Sequence, residues 1–341
     1  MGWGTNLLTS RSIRWDLPPQ HTLRFSLDES SPSAYDERLR VTTMKTDNPV
    51  RIVELTRRGL LTLPALLATP QLAAAPKPAA TVRDKLWLWS HVAGSYNGMF
   101  GLPGKSRMSP TEAAFYMGIP NVFMLHREGT PEPPLDQFAL PFESLREVVW
   151  GIVGESGNTE AKERKMVLDL ALHNHKISGV VMDDFFVGAN DGKLAALTIP
   201  QIKEMKQSLH TAGKNLDLWV VLYEHQLDKP LKDYLSLCEY VQFWTWYGKN
   251  LADLRPNYEK ARALSGGAKM ALGIYWWDFG EKKPLPMDLM KSQCEIGLDL
   301  VKKGQCEALV FCGSWLCDRG LEAVAWTRDW IQKVGGQKLH G

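Results

Sequence analysis

The 341-residue chain predicts an α/β fold, a single (β/α)8 TIM barrel over residues 86–336. Two observations predict it. Short apolar, β-rich runs alternate with charged segments of helical period, which is the pattern of βαβ units and a parallel sheet. Eight such units in about 250 residues is the ordinary size of this barrel. A third observation tells against the open-sheet competitor. The first run leads into His91-Val-Ala-Gly-Ser-Tyr-Asn97, and neither a G-x-G-x-x-G nor a P-loop occurs in the chain.

The predicted strands are residues 86–90, 121–125, 147–153, 179–182, 218–223, 240–244, 270–275 and 308–311. Between them, 159–175 threads charges through Met166, Val167, Leu168, Leu170 and Leu172, and 200–211 does so through Ile202, Met205 and Leu209. Segments 251–264 and 286–303 follow the same pattern, and 321–334 is the last helix, packed outside strand eight. Its Trp326 and Trp330 are four apart and share a helix face.

Composition narrows the function. With 40 basic and 38 acidic residues the formal charge is +2, and no concentrated basic footprint points to nucleic acid. Thirteen Trp are unusual, and such rings build both cores and flat ligand platforms. The five cysteines form no CxxC pair, so no zinc site is expected; an exported chain could pair Cys312 with Cys317 or Cys294 with Cys306.

The first residues have another logic. Thr56-Arg57-Arg58 precedes a short apolar run over 59–68, and Ala73-Ala74-Ala75 follows. Charged region, apolar run and small-residue cleavage site together resemble a bacterial twin-arginine signal, too short to span a bilayer. The signal is assigned to 44–75, starting at Met44, and a linker to 76–85. Residues 1–43 show no sustained period and are expected to be disordered or an over-extended start. The mature protein would be periplasmic or secreted, with no stable membrane anchor.

Active sites of these barrels lie at the C-terminal strand ends. Polar and aromatic groups recur there: His91 with Asn97 beyond strand one, His126-Arg127-Glu128 after strand two, and Glu155 after strand three. Asp183-Asp184 follow strand four, Tyr223-Glu224-His225 strand five, Trp244 and Trp246 strand six. Trp276-Trp277-Asp278 follow strand seven, and Trp315 follows strand eight. Adjacent carboxylates after an apolar strand must leave the core, because a buried unpaired charge is costly. Carboxylates at the ends of neighbouring strands can lie roughly 5–9 Å apart, which covers retaining and inverting glycoside hydrolysis. The expected catalytic groups are Asp184 or Asp183 as nucleophile or base and Glu224 as proton donor, with Asp278 and Glu155 in reserve. His91, Asn97, Glu155, Tyr223, Trp244, Trp246, Trp276 and Trp315 are the expected carbohydrate-binding residues, aromatic rings packing on the C–H face of a sugar.

The stretch Gly179-Val-Val-Met-Asp183-Asp184-Phe-Phe186 resembles the acid-ended fourth strand of bacterial glycoside-hydrolase-like TIM barrels. The resemblance spans residues 82–336 in architecture, and its specific motif is about eight residues long. It implies a glycosidase acting on a carbohydrate. The chain lacks the D-x-x-D-x-D-x-E run of chitinase-type barrels and the Asn-Glu pair that ends strand four in many retaining barrels. Two other readings stay open. A metal-dependent hydrolase or isomerase would draw ligands from His91, Glu155, Asp183 or Asp184, His225 and Asp278, but neither His-x-His on strand one nor H-E-x-x-H is present. A non-catalytic carbohydrate-binding protein would keep the aromatic platforms and neutralise the carboxylates with Arg or Lys. No cofactor is expected.

Overall fold

The structure is a computed structural model, and it describes residues 22–26, 39–44, 52–55, 79–186, 193–210 and 214–339. The chain divides into two compact units, Met1–Lys77 and Pro78–Gly341.

In the second unit, β1 (Leu86–Ser90), β2 (Asn121–Met124), β3 (Glu147–Val153), β4 (Ile177–Met182), β5 (Asp217–Tyr223), β6 (Tyr240–Trp244), β7 (Lys269–Tyr275) and β8 (Ala308–Cys312) form a closed barrel. Each strand pairs in parallel with the next, and β8 pairs back onto β1. This is the (β/α)8 TIM barrel that the alternation predicts. The helices are α1 (Pro110–Met117), α2 (Leu135–Ala139), α3 (Ala161–His173), α4 (Ile199–Leu209), α5 (Lys232–Leu235), α6 (Leu254–Leu264), α7 (Met287–Lys302) and α8 (Glu322–Val334). Those after β3, β4, β6, β7 and β8 fall where the charged segments place them. The others, α1, α2 and α5, have eight, five and four residues, too short to leave a periodic pattern. A capping box fixes where α1 begins: Ser109 Oγ accepts from the Glu112 N–H, and Glu112 accepts from the Ser109 N–H.

Aromatic rings fill the barrel. Trp87 and Phe123 reach across to Trp219, with ring centroids 5.7 and 5.1 Å from it, and Trp219 stacks on Tyr240 at 3.7 Å. One layer higher, Trp89 meets Trp244 at 5.4 Å, and Trp244 meets Tyr275 at 4.9 Å. Such large inward rings need small partners. A Cβ on Gly273 would stand 1.9 Å from the Trp244 ring, and one on Gly179 would stand 3.0 Å from Trp219 Nε1. Outside, Trp276 stacks on Phe311 at 5.7 Å and its Nε1–H donates to Thr327 Oγ1 of α8 at 3.0 Å. On α8, Trp326 and Trp330 are stacked 6.2 Å apart.

The barrel's order begins before residue 86. Thr81 bridges Lys338, and Val82–Lys85 is a 3-10 turn with a buried Val82, so part of the expected linker packs against the barrel.

In the first unit, the strand Leu39–Met44 pairs antiparallel with both Thr22–Ser26 and Ile52–Leu55. Thr-Leu-Arg-Phe-Ser and Leu-Arg-Val, in the stretch expected to be disordered or an over-extended start, alternate apolar and polar with the period of a strand. The twin arginines and the apolar run at 56–75 lie outside the described residues.

Candidate active site

Strand β4 ends at Met182, and Asp183 and Asp184 form the turn that leaves it. Asp184 has φ +42, in the left-handed region that Asp tolerates better than most residues. Burial of Phe185 and Phe186 behind the pair anchors the turn. Both Asp184 oxygens are held: Oδ1 accepts from the Tyr223 hydroxyl of β5 at 2.8 Å, and Oδ2 accepts from the Ser156 N–H after β3 at 2.9 Å. Asp183 is 6 % exposed, and its Oδ1 accepts from the Asp184 N–H at 2.8 Å. Burial, then the charges of Asp184 and Glu155, push the Asp183 carboxyl well above the usual carboxylate range.

Among the described residues neither aspartate forms an ion pair. The cation in this region is Arg127, and it is spent on Glu155 at 2.6 Å and Glu128 at 2.7 Å, with its guanidinium over the Tyr96 ring. Glu155, Asp183, Asp184 and Tyr223 line one side of a small cavity at the C-terminal mouth, about 70 Å³ in volume. Trp89, Tyr96, Phe100, Trp246, Tyr275, Phe279 and Trp315 wall the rest, with Cys312 among them. A wider groove of about 560 Å³ opens between the loops after β2 and β3, and shares Glu155 with the cavity.

The expected residues divide. Asp183, Asp184, Glu155, Tyr223, Trp246 and Trp315 come together at the cavity. Glu224 does not line it. Its buried carboxylate turns toward β6, where Oε2 accepts from the Trp246 N–H at 3.0 Å and Oε1 from Asn250 Nδ2 at 3.1 Å. Asp278 also lies apart. It accepts from the Glu281 N–H at 3.0 Å and sits over Gly248, whose Cβ would stand 2.6 Å from Asp278 Oδ2. Asn97 is a bracket, accepting from the Ser106 N–H and from Arg319. Trp244 is in the barrel interior and Trp276 faces α8. His91 is buried behind Tyr96 and Trp315, its Nε2 3.3 Å from the Tyr96 hydroxyl; burial, then Arg127, push it down to about 3.

Sequence reasoning missed Tyr275, Tyr96, Phe100, Phe279, Trp89 and Cys312 as lining residues, and Arg127 as the partner of Glu155. Strand parity was the available signal for one of them. Side chains alternate, so when Gly273 faces Trp244 inside the barrel, Tyr275 faces inward and Trp276 outward.

All five cysteines are buried free thiols, and no group of three or more His, Cys, Asp or Glu among the described residues is arranged to hold a metal ion. His225 and Asp278, two of the candidate ligands, lie off the cavity. No helix among the described residues is long and apolar enough to cross a membrane.

Neither a family model nor a curated protein matches the chain. Among solved structures, concanavalin B superposes with a TM-score of 0.50 at 10% identity, covering 74% of this chain and 99% of its own. The spore cortex-lytic enzyme SleL of Bacillus megaterium has a TM-score of 0.46 at 12% identity, covering 78% and 76%. A probable 2-pyrone-4,6-dicarboxylic acid hydrolase of Acinetobacter baumannii also has 0.46 at 12%, covering 73% and 92%. At such identities the likeness is one of fold.

Proposed function

We propose that the barrel is a glycoside hydrolase, with Asp183 as proton donor and Asp184 as base or nucleophile. One observation carries the reading: a buried aspartic acid, with no ion-pair partner among the described residues, stands beside two further carboxylates in an aromatic-walled cavity at the strand ends. A carboxyl pushed up in this way retains its proton to higher pH, which a general acid at a leaving oxygen requires. Asp184 is the complementary group, because both its oxygens are acceptors oriented by Tyr223 and Ser156. The donor role thus moves from Glu224 to Asp183. The rings of Trp246, Tyr275 and Phe279 supply the apolar surface that a sugar face needs.

A purely carbohydrate-binding barrel would have its carboxylates neutralised. Arg127 neutralises Glu155, but Asp183 and Asp184 have no such partner among the described residues. Export through the twin-arginine segment belongs to the same reading, and mass measurement of the N-terminus after expression in a bacterium with that route tests it, cleavage after Ala75 being expected.

The test of the function is release of reducing sugar from a glycan panel by wild type, Asp183→Asn, Asp184→Asn and Glu224→Gln, with and without EDTA. The expected result is EDTA-resistant hydrolysis that both aspartate variants lose and Glu224→Gln largely keeps. Hydrolysis abolished by EDTA, or retained by Asp183→Asn, contradicts the reading.

A further inference from the structure

The cavity over the two aspartates is about 70 Å³, whereas pockets that hold small ligands start near ~300 Å³. The cavity itself therefore cannot take in a sugar ring beside Asp183 unless a wall moves. The wall best built to move is the loop after β1, residues 92–106, which contributes Tyr96 and Phe100 to the cavity.

This loop has no strand or helix, and its internal backbone hydrogen bonds are a chain of turns, Ser95 to Val92, Asn97 to Gly94, Met99 to Tyr96 and Leu102 to Met99, with the Asn97 amide bridging across the loop to Ser106 so that it moves as one piece. It can shift without breaking a rung of the barrel. Gly94 and Gly104, near its two ends, have φ of +85 and +61, the freedom a hinge uses. Side chains of other elements fasten it. Arg319, beyond β8, donates to the carbonyls of Pro103 and Gly104 and to Asn97 Oδ1, each at 2.8 Å. Trp277 Nε1–H donates to the Phe100 carbonyl at 3.0 Å, and Arg127 Nη1 donates to the Ser95 carbonyl at 3.0 Å.

We propose that residues 92–106 are a lid, held closed by Arg319 and Trp277, that swings off Asp183 and Asp184 to admit the ligand. Phe100 is its plug, packed against Phe279 at 5.3 Å and Trp246 at 6.3 Å. The identity of that ligand as a glycan rests on the function proposed above; the opening itself does not.

Cys312 reports the opening. It lines the cavity, is 4 % exposed, and its thiol is pushed well up by burial, so maleimide reaches it only when the lid parts. Cys294, wholly buried on the inner face of α7, reports global unfolding. The lid can also be stapled: a Cβ on Gly101 would stand 3.7 Å from the Lys282 Cβ, within disulfide range, but also 2.9 Å from the Lys282 carbonyl oxygen at a φ of +67, so the backbone there must shift to take the cross-link. The experiment measures N-ethylmaleimide labelling of Cys312 and Cys294, peptide by peptide, in the full native chain. It compares wild type, Trp277→Phe, and Gly101→Cys with Lys282→Cys, oxidised and reduced. The expected results are Cys312 labelled at least tenfold faster than Cys294 in wild type, several-fold faster again in Trp277→Phe, and at least tenfold slower in the oxidised staple, with recovery on reduction. Equal rates for Cys312 and Cys294 in wild type, or a Cys312 rate unchanged by the closed staple, overturn the lid. Should the stapled chain fail to fold or cross-link, an unchanged Cys312 to Cys294 ratio in Trp277→Phe overturns it alone. Labelling needs no turnover, so a lid that fails leaves the hydrolase reading standing, and a protein that hydrolyses no glycan leaves the lid standing.

Discussion

The ends of β4 and of β5 carry acidic residues in nearly the same place, yet the two regions treat them oppositely. Past β5, Glu224 has both oxygens satisfied by the Trp246 N–H and the Asn250 amide, and it serves as a clamp that sets where Trp246 stands. Past β4, Asp183 accepts a single backbone N–H while burial and two other carboxylates press on it. A carboxylate met by donors is at rest, and one confronted by like charges is poised to hold a proton. Place on the barrel rim does not separate the two roles; the partners do.

The widest gap between the regions is expected in catalysis. Asp183→Asn removes the proposed acid and should lower glycan hydrolysis by about 10²–10⁴-fold, whereas Glu224→Gln, measured in the same assay, should cost less than tenfold. Comparable losses would erase the distinction. Stability should reverse the order. Glu224→Ala strands the Trp246 N–H and the Asn250 amide and should cost about 1–3 kcal/mol in urea unfolding, while Asp183→Asn should be neutral or stabilising at pH 7.

The pH dependence sharpens the same contrast. Because the folded Asp183 pKa is raised, the folded state binds the extra proton, and the stability this gives is full below the unfolded value of about 3.9. It is lost as pH rises toward the folded pKa, so the stability gained by Asp183→Asn over wild type should grow across that interval. His91 works in the opposite sense. Its folded pKa is lowered to about 3, so its contribution is present above about 6.5 and is lost as pH falls toward 3. His91→Gln should flatten the acid limb of a Tm-against-pH curve. The smallest effect is expected from Tyr223→Phe, which leaves Asp184 with the Ser156 N–H and without the tyrosine hydroxyl. Its kcat should fall by less than about tenfold with KM little changed.

Much of the barrel was legible, because apolar runs bounded by charged helical segments record burial directly. The runs at 86–90, 147–153 and 240–244 coincide with β1, β3 and β6. The short helices α2 and α5 were not, since one turn leaves no period. At the site, Asp183-Asp184 stood out because nothing in an apolar strand prepares for two charges. Glu224 stood out for the same reason and misled, since its partners lie 22 and 26 residues further along the chain. The aromatic residues on the rim needed parity, which separates inward Tyr275 from outward Trp276 only once the strand's register is fixed. Arg127 gave no signal of its own, because its pairing with Glu155 joins loops that follow different strands.

If Asp183 keeps its proton to a higher pH than an ordinary carboxyl does, infrared difference spectroscopy shows it without any substrate. Subtracting the Asp183→Asn spectrum from that of the wild type across a pH series isolates this one carboxyl. The expected result is a protonated-carboxyl C=O band, shifted in D2O, that persists well above the ordinary carboxyl range before it disappears. Loss of that band in the ordinary range near ~4 would contradict the raised pKa and the proton-donor role with it.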